Sequence, residues 1–417
     1  MCHYRKIVLS TLISFLALTI SLKAAKNPDI NSRVERIHKK ILTIDSHTDT
    51  PMNLARPGFD PSVRHDPNKE HSKLDFPRMK EGGLDAAFFA VFLPQGKRNE
   101  DANVKAKDRA NLLFDTIFSV LKRNTAVAGL ALCPADATKL KKEGKSAVFI
   151  GMENGYPIGN DLTLIKYFYE KGARYITLCH TKNNDICDSS TDSTEFNGLS
   201  EFGKNIVTVM NRVGMMIDIS HASDKSFYDV LSRTKSPVIA SHSCARAICN
   251  NPRNLNDDML RALARNGGVV QMCILSDYVK KPDPFPARDS AYAALRKKYR
   301  NFTDLSEEEM KNAHIDWDAF DEQFPEKPAT VSDVVDHIDH MVKIAGIDHV
   351  GIGTDFDGGG GVTGCFDVSE MKNITKELII RGYSDRNIEK IWGGNLVQVM
   401  KKVKRVSKQL SKPCGCD

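Results

Sequence analysis

The chain has 417 residues, 41% hydrophobic and 27% charged, a balance that excludes a disordered chain; the length suits one α/β barrel with insertions. Its formal charge of +6 is mild, and no long arginine-rich face accompanies it, which argues against nucleic-acid binding.

The first residues, MCHYRKIVLSTLISFLALTISLKAAKN, combine a basic start, an apolar run from Ile7 to Leu22 and then small residues. This layout predicts a signal peptide over residues 1–25, cleaved near Ala24 or Ala25, and hence a secreted or periplasmic protein. The alternative is an uncleaved N-terminal membrane anchor; no other stretch is long and apolar enough to span a bilayer. Ten cysteines, nine without Cys2, cannot all pair internally, and the tail CGC (Cys414, Cys416) reads as reactive or inter-chain.

From residue 26 to 417 the pattern predicts a single domain. Apolar, β-branched runs recur in the order ILTID, LDAAFFAVFL, SAVFIGME, ARYITLCH, GMMIDISH, SPVIASHS, GGVVQMCIL and HVGIGTDFD. Strands buried on both faces lose the apolar/polar alternation, so eight such runs point to a parallel sheet. Between them lie segments with helical spacing, such as ANVKAKDRANLLFDTIFSVLKR, EFGKNIVTVMNRVG with a capping Gly214, and DDMLRALARNGG with acids first and glycines last. Eight strand-then-helix units predict a (β/α)8 TIM-like barrel, with a doubly wound open sheet as the alternative. Residues 276–332, rich in charge, proline and aromatics, break the rhythm and predict a helical insertion before the last strand, either a lid or a surface elaboration.

Candidate chemistry sits where the strands end. In ILTIDSHTDT, His47 and Asp49 are two apart and share a face at the end of the first run. Glu153 closes the third run, His221 ends MMIDISH, His242 falls in PVIASHS and Asp355 in VGIGTDFDG. Burying so many ionisable groups without compensation costs several kcal/mol each, whereas divalent cations compensate them together. Histidine and carboxylate ligands without cysteine suit zinc, with manganese or cobalt as substitutes. Five ligands (His47, Asp49, Glu153, His221, His242) exceed one tetrahedral site, which predicts two metals bridged by Glu153 and a shared water activated between them. Asp355 is left as the base that takes the proton of that water and returns it to the leaving amine.

The motifs DSHTD, GMENG, DISHAS, SHSCARAICNNPRNLNDD and GIGTDFDG resemble the membrane (renal) dipeptidase family, a zinc-dependent branch of the amidohydrolase barrels; the likeness runs from about Leu42 to Gly394. The resemblance implies that His47 and Asp49 hold one zinc, that His221 and His242 hold the second, and that Glu153 bridges them. It implies too that His180, in TLCHTKNND, contacts the substrate carbonyl and stabilises the oxyanion, and that Arg253, in NPRNLNDD, holds the free carboxylate of a dipeptide. Asp355 matches the acid/base residue, which also recognises the substrate amine. Dipeptide substrates, including those with a C-terminal D-residue, and a homodimer are further expectations from the family. Two departures stand out: HTKNNDICDSS keeps Asn184 and Asp188 of the family frame but lacks its tryptophan, and the insertion after Ser276 is longer than in the mammalian enzymes. A lactonase, phosphoesterase or β-lactamase on the same metals, and a non-catalytic barrel, are the competing readings.

Three features read as structural. His337, His340 and His349 predict a solvated helix face. The glycines at 358–361 predict a turn away from Asp355 and not a phosphate loop, and Asn395 of WGGN predicts a helix cap.

Overall fold

A computed structural model describes residues 29–300, 305–325 and 327–411. The expected signal peptide, Cys2, Cys414 and Cys416 lie outside the described residues. Nine strands are present among them: β1 (Ile44–Thr48), β2 (Ala86–Phe92), β3 (Ala128–Leu130), β4 (Ser146–Glu153), β5 (Ala173–Thr177), β6 (Met216–Asp218), β7 (Ile239–Ser243), β8 (Val269–Met272) and β9 (Val350–Ile352). All pair in parallel in the order β1-β2-β4-β5-β6-β7-β8-β9, and β3 adds to β4 off this path. The barrel closes just past β9, where Thr48 bridges Phe356, Asp355 N–H donates to His47 O and Asp49 N–H donates to Phe356 O. The fold is therefore a nearly closed (β/α)8 barrel, and the open-sheet alternative falls.

Every residue of β1, β4 and β7 is buried, as strands covered on both faces require. One face carries Ile44, Phe88, Phe149, Tyr175, Ile239 and Val269, which form an inner core with Leu396 and Val399 of the final helix Asn395–Leu410. The opposite face carries Ala87, Phe89, Val148 and Ile150 and packs on the surrounding helices. Four crossovers begin with side-chain caps that satisfy free helical N–H groups: Asn99 to Ala102, Ser200 to Gly203, Ser223 to Ser226 and Asn256 to Met259.

Three expectations change. The first strand begins at Ile44 because Ile41 closes the preceding helix Ile30–Lys40, and it runs on through His47 because the Asp45 carboxylate accepts from His47 N–H and from Thr354 N–H and Oγ1. β3 has no counterpart among the eight runs, since three residues with a central glycine carry no readable pattern. Asn395 does not cap; it is buried, and its amide donates to Ile347 O and Val350 O, tying the final helix to β9.

The segment between β8 and β9 is helical: Ser276–Val279, Pro286–Lys298 and Glu307–Gln323 precede the helix Val331–Ala345. Its middle pair of helices packs through Tyr292, Trp317 and Phe320, with the Arg288 guanidinium 4.8 Å over the Phe320 ring. No helix among the described residues is long and apolar enough to cross a membrane. The seven cysteines at 133, 179, 187, 244, 249, 273 and 365 are free.

One buried ion cluster ties the β1 loop to the loop after β9. Arg78, fully buried, donates to Asp75 (2.6 Å), Asp367 (3.0 Å) and Ser72 O (2.8 Å). Replacing Arg78 by Ala leaves two buried carboxylates without their cation, and urea denaturation is expected to show a loss of about 3–5 kcal/mol.

Candidate metal centre

All the candidate side chains gather at the C-terminal end of the barrel, the end that carries function in this architecture. His47 and His242 lie within β1 and β7, and Glu153 is the last residue of β4. Asp49 opens the short helix Thr50–Leu54, and His180, His221 and Asp355 each lie three residues past β5, β6 and β9. Six strands thus contribute, and all these groups are buried except His180, which is partly exposed.

The two oxygens of Glu153 face different partners. Oε2 is 3.5 Å from His47 Nε2, while Oε1 is 3.0 Å from His221 Nε2, 3.4 Å from His242 Nε2 and 3.9 Å from His180 Nε2. On the first side His47 Nε2 also lies 4.0 Å from Asp49 Oδ2 and 3.9 Å from Asp355 Oδ1. Ligand atoms within 4.8 Å of one another form three sets among the described residues: His47–Asp49–Asp355, His47–Glu153–His242 and Glu153–His180–His221. They share His47 and Glu153, so they make one continuous centre. His180 and Asp355, assigned to substrate on the sequence, offer ligand atoms here as well.

Acceptors crowd this centre without donors to match. His221 Nε2 and His242 Nε2 approach to 2.9 Å, and at most one proton fits between them. His47 Nε2, Asp49 Oδ1 and His221 Nδ1 are buried with no hydrogen-bond partner, and the Arg253 Nε–H is a buried donor left free beside them. Burial is the main cause of every shift: it pushes Glu153 up to about 8, Asp355 up to about 7 and Asp49 well above the carboxylate range, with the neighbouring carboxylates adding to the rise in Asp355 and Asp49. It also holds His221 and His242 well below the usual imidazole range and His180 down at about 3, helped by Arg253. Neutral imidazoles around costly carboxylates are the donor set that divalent cations fit.

The local backbone is built for this gathering. His221 and Asp355 take φ of 68° and 64°, a left-handed conformation that costs a non-glycine residue about 1–2 kcal/mol. The glycine run serves close approach: a Cβ on Gly358 would meet Asp49 Oδ2 at 2.1 Å and Asp355 Oδ1 at 2.4 Å. Behind it Asp357 accepts from Lys73 N–H and Thr50 Oγ1, fixing the turn after Asp355. Asn184 donates to Leu178 O and accepts from the N–H groups of Ile186 and Cys187, while Asp188 accepts from three more amides, so both shape the loop that carries His180.

Arg253 reaches in from the loop after β7. It donates to Ser243 Oγ (2.8 Å) and His242 O (2.7 Å), and its guanidinium lies 5.7 Å from the Tyr278 ring. Four neighbours are not among the candidates from sequence. Tyr175 Oη is 2.8 Å from His47 Nδ1, and Gly151 leaves room for its ring. Phe92 sets its ring edge-on to His180 at 4.7 Å, and Asp218 and Ser241 stand behind His242. A tyrosine and an aspartate inside apolar strand runs were the available signals.

Of the other three histidines, His340 and His349 are partly exposed, but His337 does not face solvent. His337 is fully buried: its Nδ1 accepts from Ala245 N–H, so Nε2–H donates to Val279 O. His340 pairs with Asp257, and His349 bonds Gly268 O. Packing of the Val331–Ala345 helix against the neighbouring loops buries His337, and no metal set among the described residues includes these three.

Comparison with known proteins agrees with this geometry. Dipeptidase tcpJ of Claviceps purpurea is 32% identical, over 87% of this chain and 77% of its own. Dipeptidase ataJ of Aspergillus terreus is 29% identical over 90% and 88%. The crystal structure of the probable dipeptidase PvdM from Pseudomonas aeruginosa superposes with a TM-score of 0.78 at 31% identity, covering 90% of this chain and 99% of that one. A family model described as membrane dipeptidase (peptidase family M19) matches residues 31–413, nearly the whole length. On that match, and on relatives above 30% identity spanning most of both chains, the chain belongs to the membrane dipeptidase family.

Proposed function

We propose that this chain hydrolyses dipeptides with two zinc ions, one held by His47 and Asp49, the other by His221 and His242, with Glu153 shared between them. The observation that carries this reading is the division of Glu153, one oxygen toward His47 and the other toward His221 and His242. Two such cations supply a water of lowered pKa and polarise the scissile carbonyl.

The protein's own groups account for the rest. Arg253 is anchored by Ser243 and His242 O with its Nε left free, which suits it to receive the dipeptide's carboxylate. His180 is neutral at pH 7 and can donate one N–H to the developing oxyanion without adding a second positive charge beside Arg253. Asp355, whose Oδ1 lies 3.9 Å from His47 Nε2 and which stands outside the two proposed ligand pairs, suits both taking a proton from the attacking water and returning it to the departing amine. Because the carboxylate is the held group, the configuration of the C-terminal residue is weakly read, and D-residues are accepted there. Export by the N-terminal leader and assembly as a homodimer complete the proposal.

Zinc content measured beside hydrolysis of paired L,L and L,D dipeptides tests it. Two equivalents with turnover of free dipeptides, but not of N-acetylated ones or lactones, is the expected result. Arg253→Ala is expected to raise KM about 10–100-fold, the worth of one charged hydrogen bond, whereas Asp355→Ala lowers kcat about 10²–10⁴-fold. Wild-type kinetics in both variants would overturn these roles.

A further inference from the structure

Asp218 ends β6, fully buried, and accepts four hydrogen bonds. Oδ1 takes the N–H groups of Ser220 (3.1 Å) and Ser241 (2.8 Å); Oδ2 takes Thr177 Oγ1 (2.5 Å) and Ser241 Oγ (2.6 Å). The Ser241 hydroxyl hydrogen is therefore committed to the carboxylate. Ser241 Oγ also lies 2.8 Å from His242 Nδ1, and with its own hydrogen engaged it can only accept there. His242 must then carry its proton on Nδ1 and turn a bare Nε2 lone pair toward Glu153 Oε1 and His221 Nε2.

The other two histidines proposed as ligands have no such device. His47 Nδ1 meets Tyr175 Oη, which can donate or accept and so selects neither tautomer, and His221 Nδ1 has no partner. We infer that Asp218, acting through Ser241, is a positioning residue that fixes His242 in the Nδ1–H tautomer and so prepares Nε2 to ligate a metal. The inference rests on the metal reading above and adds to it the residue that readies one ligand before the ion arrives.

Asp218 also staples β6 to β7, whose ladder has a single register pair, Asp218 with Ile239, so a purely structural role has to be separated. The test uses the full chain, labelled with ¹⁵N-histidine and stripped of metal, with long-range ¹H–¹⁵N correlation to read each tautomer and His242→Gln to assign the signal. Wild-type His242 is expected as Nδ1–H. In Asp218→Asn the new amide can donate to Ser241 Oγ, which frees the hydroxyl to donate to His242 and drives the ring to Nε2–H. Competition with a chromophoric chelator should then show zinc held about 10–100-fold more weakly at one site, in Asp218→Asn and Ser241→Ala alike. Thr177→Val removes a different Asp218 contact and is expected to keep wild-type zinc affinity.

Nε2–H on wild-type His242 overturns the inference without any variant having to fold. So do wild-type zinc affinities in both Asp218→Asn and Ser241→Ala, or an equal loss in Thr177→Val. A wild-type chain that takes up no zinc overturns the metal reading first, a different result from zinc bound normally without the relay.

Discussion

Glu153→Gln is expected to leave the barrel folded while metal content falls from the proposed two equivalents to one or fewer and dipeptide hydrolysis falls about 10³-fold or more. The magnitude follows from losing several kcal/mol of cation-supplied stabilisation at ~1.4 kcal/mol per tenfold in rate. The substitution keeps shape and removes charge. Glutamine has one amide NH2, and wherever it points, toward His47 or toward the His221–His242 pair, a donor replaces an acceptor on that side. An N–H aimed at a histidine lone pair makes a hydrogen bond where a cation should lie. The fold has no reason to suffer, because burial already favours the neutral form of Glu153 up to about pH 8. Metal analysis, circular dichroism and initial rates on one preparation check all three statements. Two equivalents of zinc and an unchanged rate in Glu153→Gln would remove the bridge from the mechanism.

What could be read from the sequence follows from the physics of buried parallel strands. An ionisable side chain has little business at the end of an apolar run, so His47, Glu153, His221, His242 and Asp355 stood out, and the barrel brings them together. His180 and Arg253 came only through resemblance, since neither lies in a pattern that spacing can interpret. Contacts distant in sequence were not legible. His337 looked solvated because its helix alternates in charge, yet its partners Ala245 and Val279 come from other loops. Asn395 looked like a cap because two glycines precede it, and only the approach of β9 shows its amide bridging two carbonyls. Asp218 and Ser241 lay inside quoted motifs, but their value depends on which lone pair faces which hydrogen.

Stripping the metals is expected to make stability fall as pH rises from about 6.5 to 8, the reverse of the loaded protein. In the metal-free fold Glu153 stays protonated up to about 8 and Asp355 up to about 7, whereas in the unfolded chain they ionise near their ordinary values of 4.5 and 3.8. Unfolding in that window therefore releases protons, and raising the pH favours it, by about 1.4 kcal/mol per pH unit for each carboxyl held protonated. Asp49, also raised, acts in the same direction. His180, His221 and His242 are held below the ordinary 6.5, so above that pH they are neutral in both states and add no slope. Below 6.5 the unfolded imidazoles take up protons that the folded ones refuse, which opposes the carboxyls still held protonated and flattens the slope. Loading runs the other way, because ligands bind cations only when deprotonated, so uptake strengthens as the carboxyls ionise. The difference in melting temperature between loaded and stripped protein should widen steadily from pH 6.5 to 8 in calorimetry with and without chelator. A gap that stays constant across that range would mean that the carboxyls at the barrel mouth are already ionised without a cation, and the argument for a metal from their burial would fail.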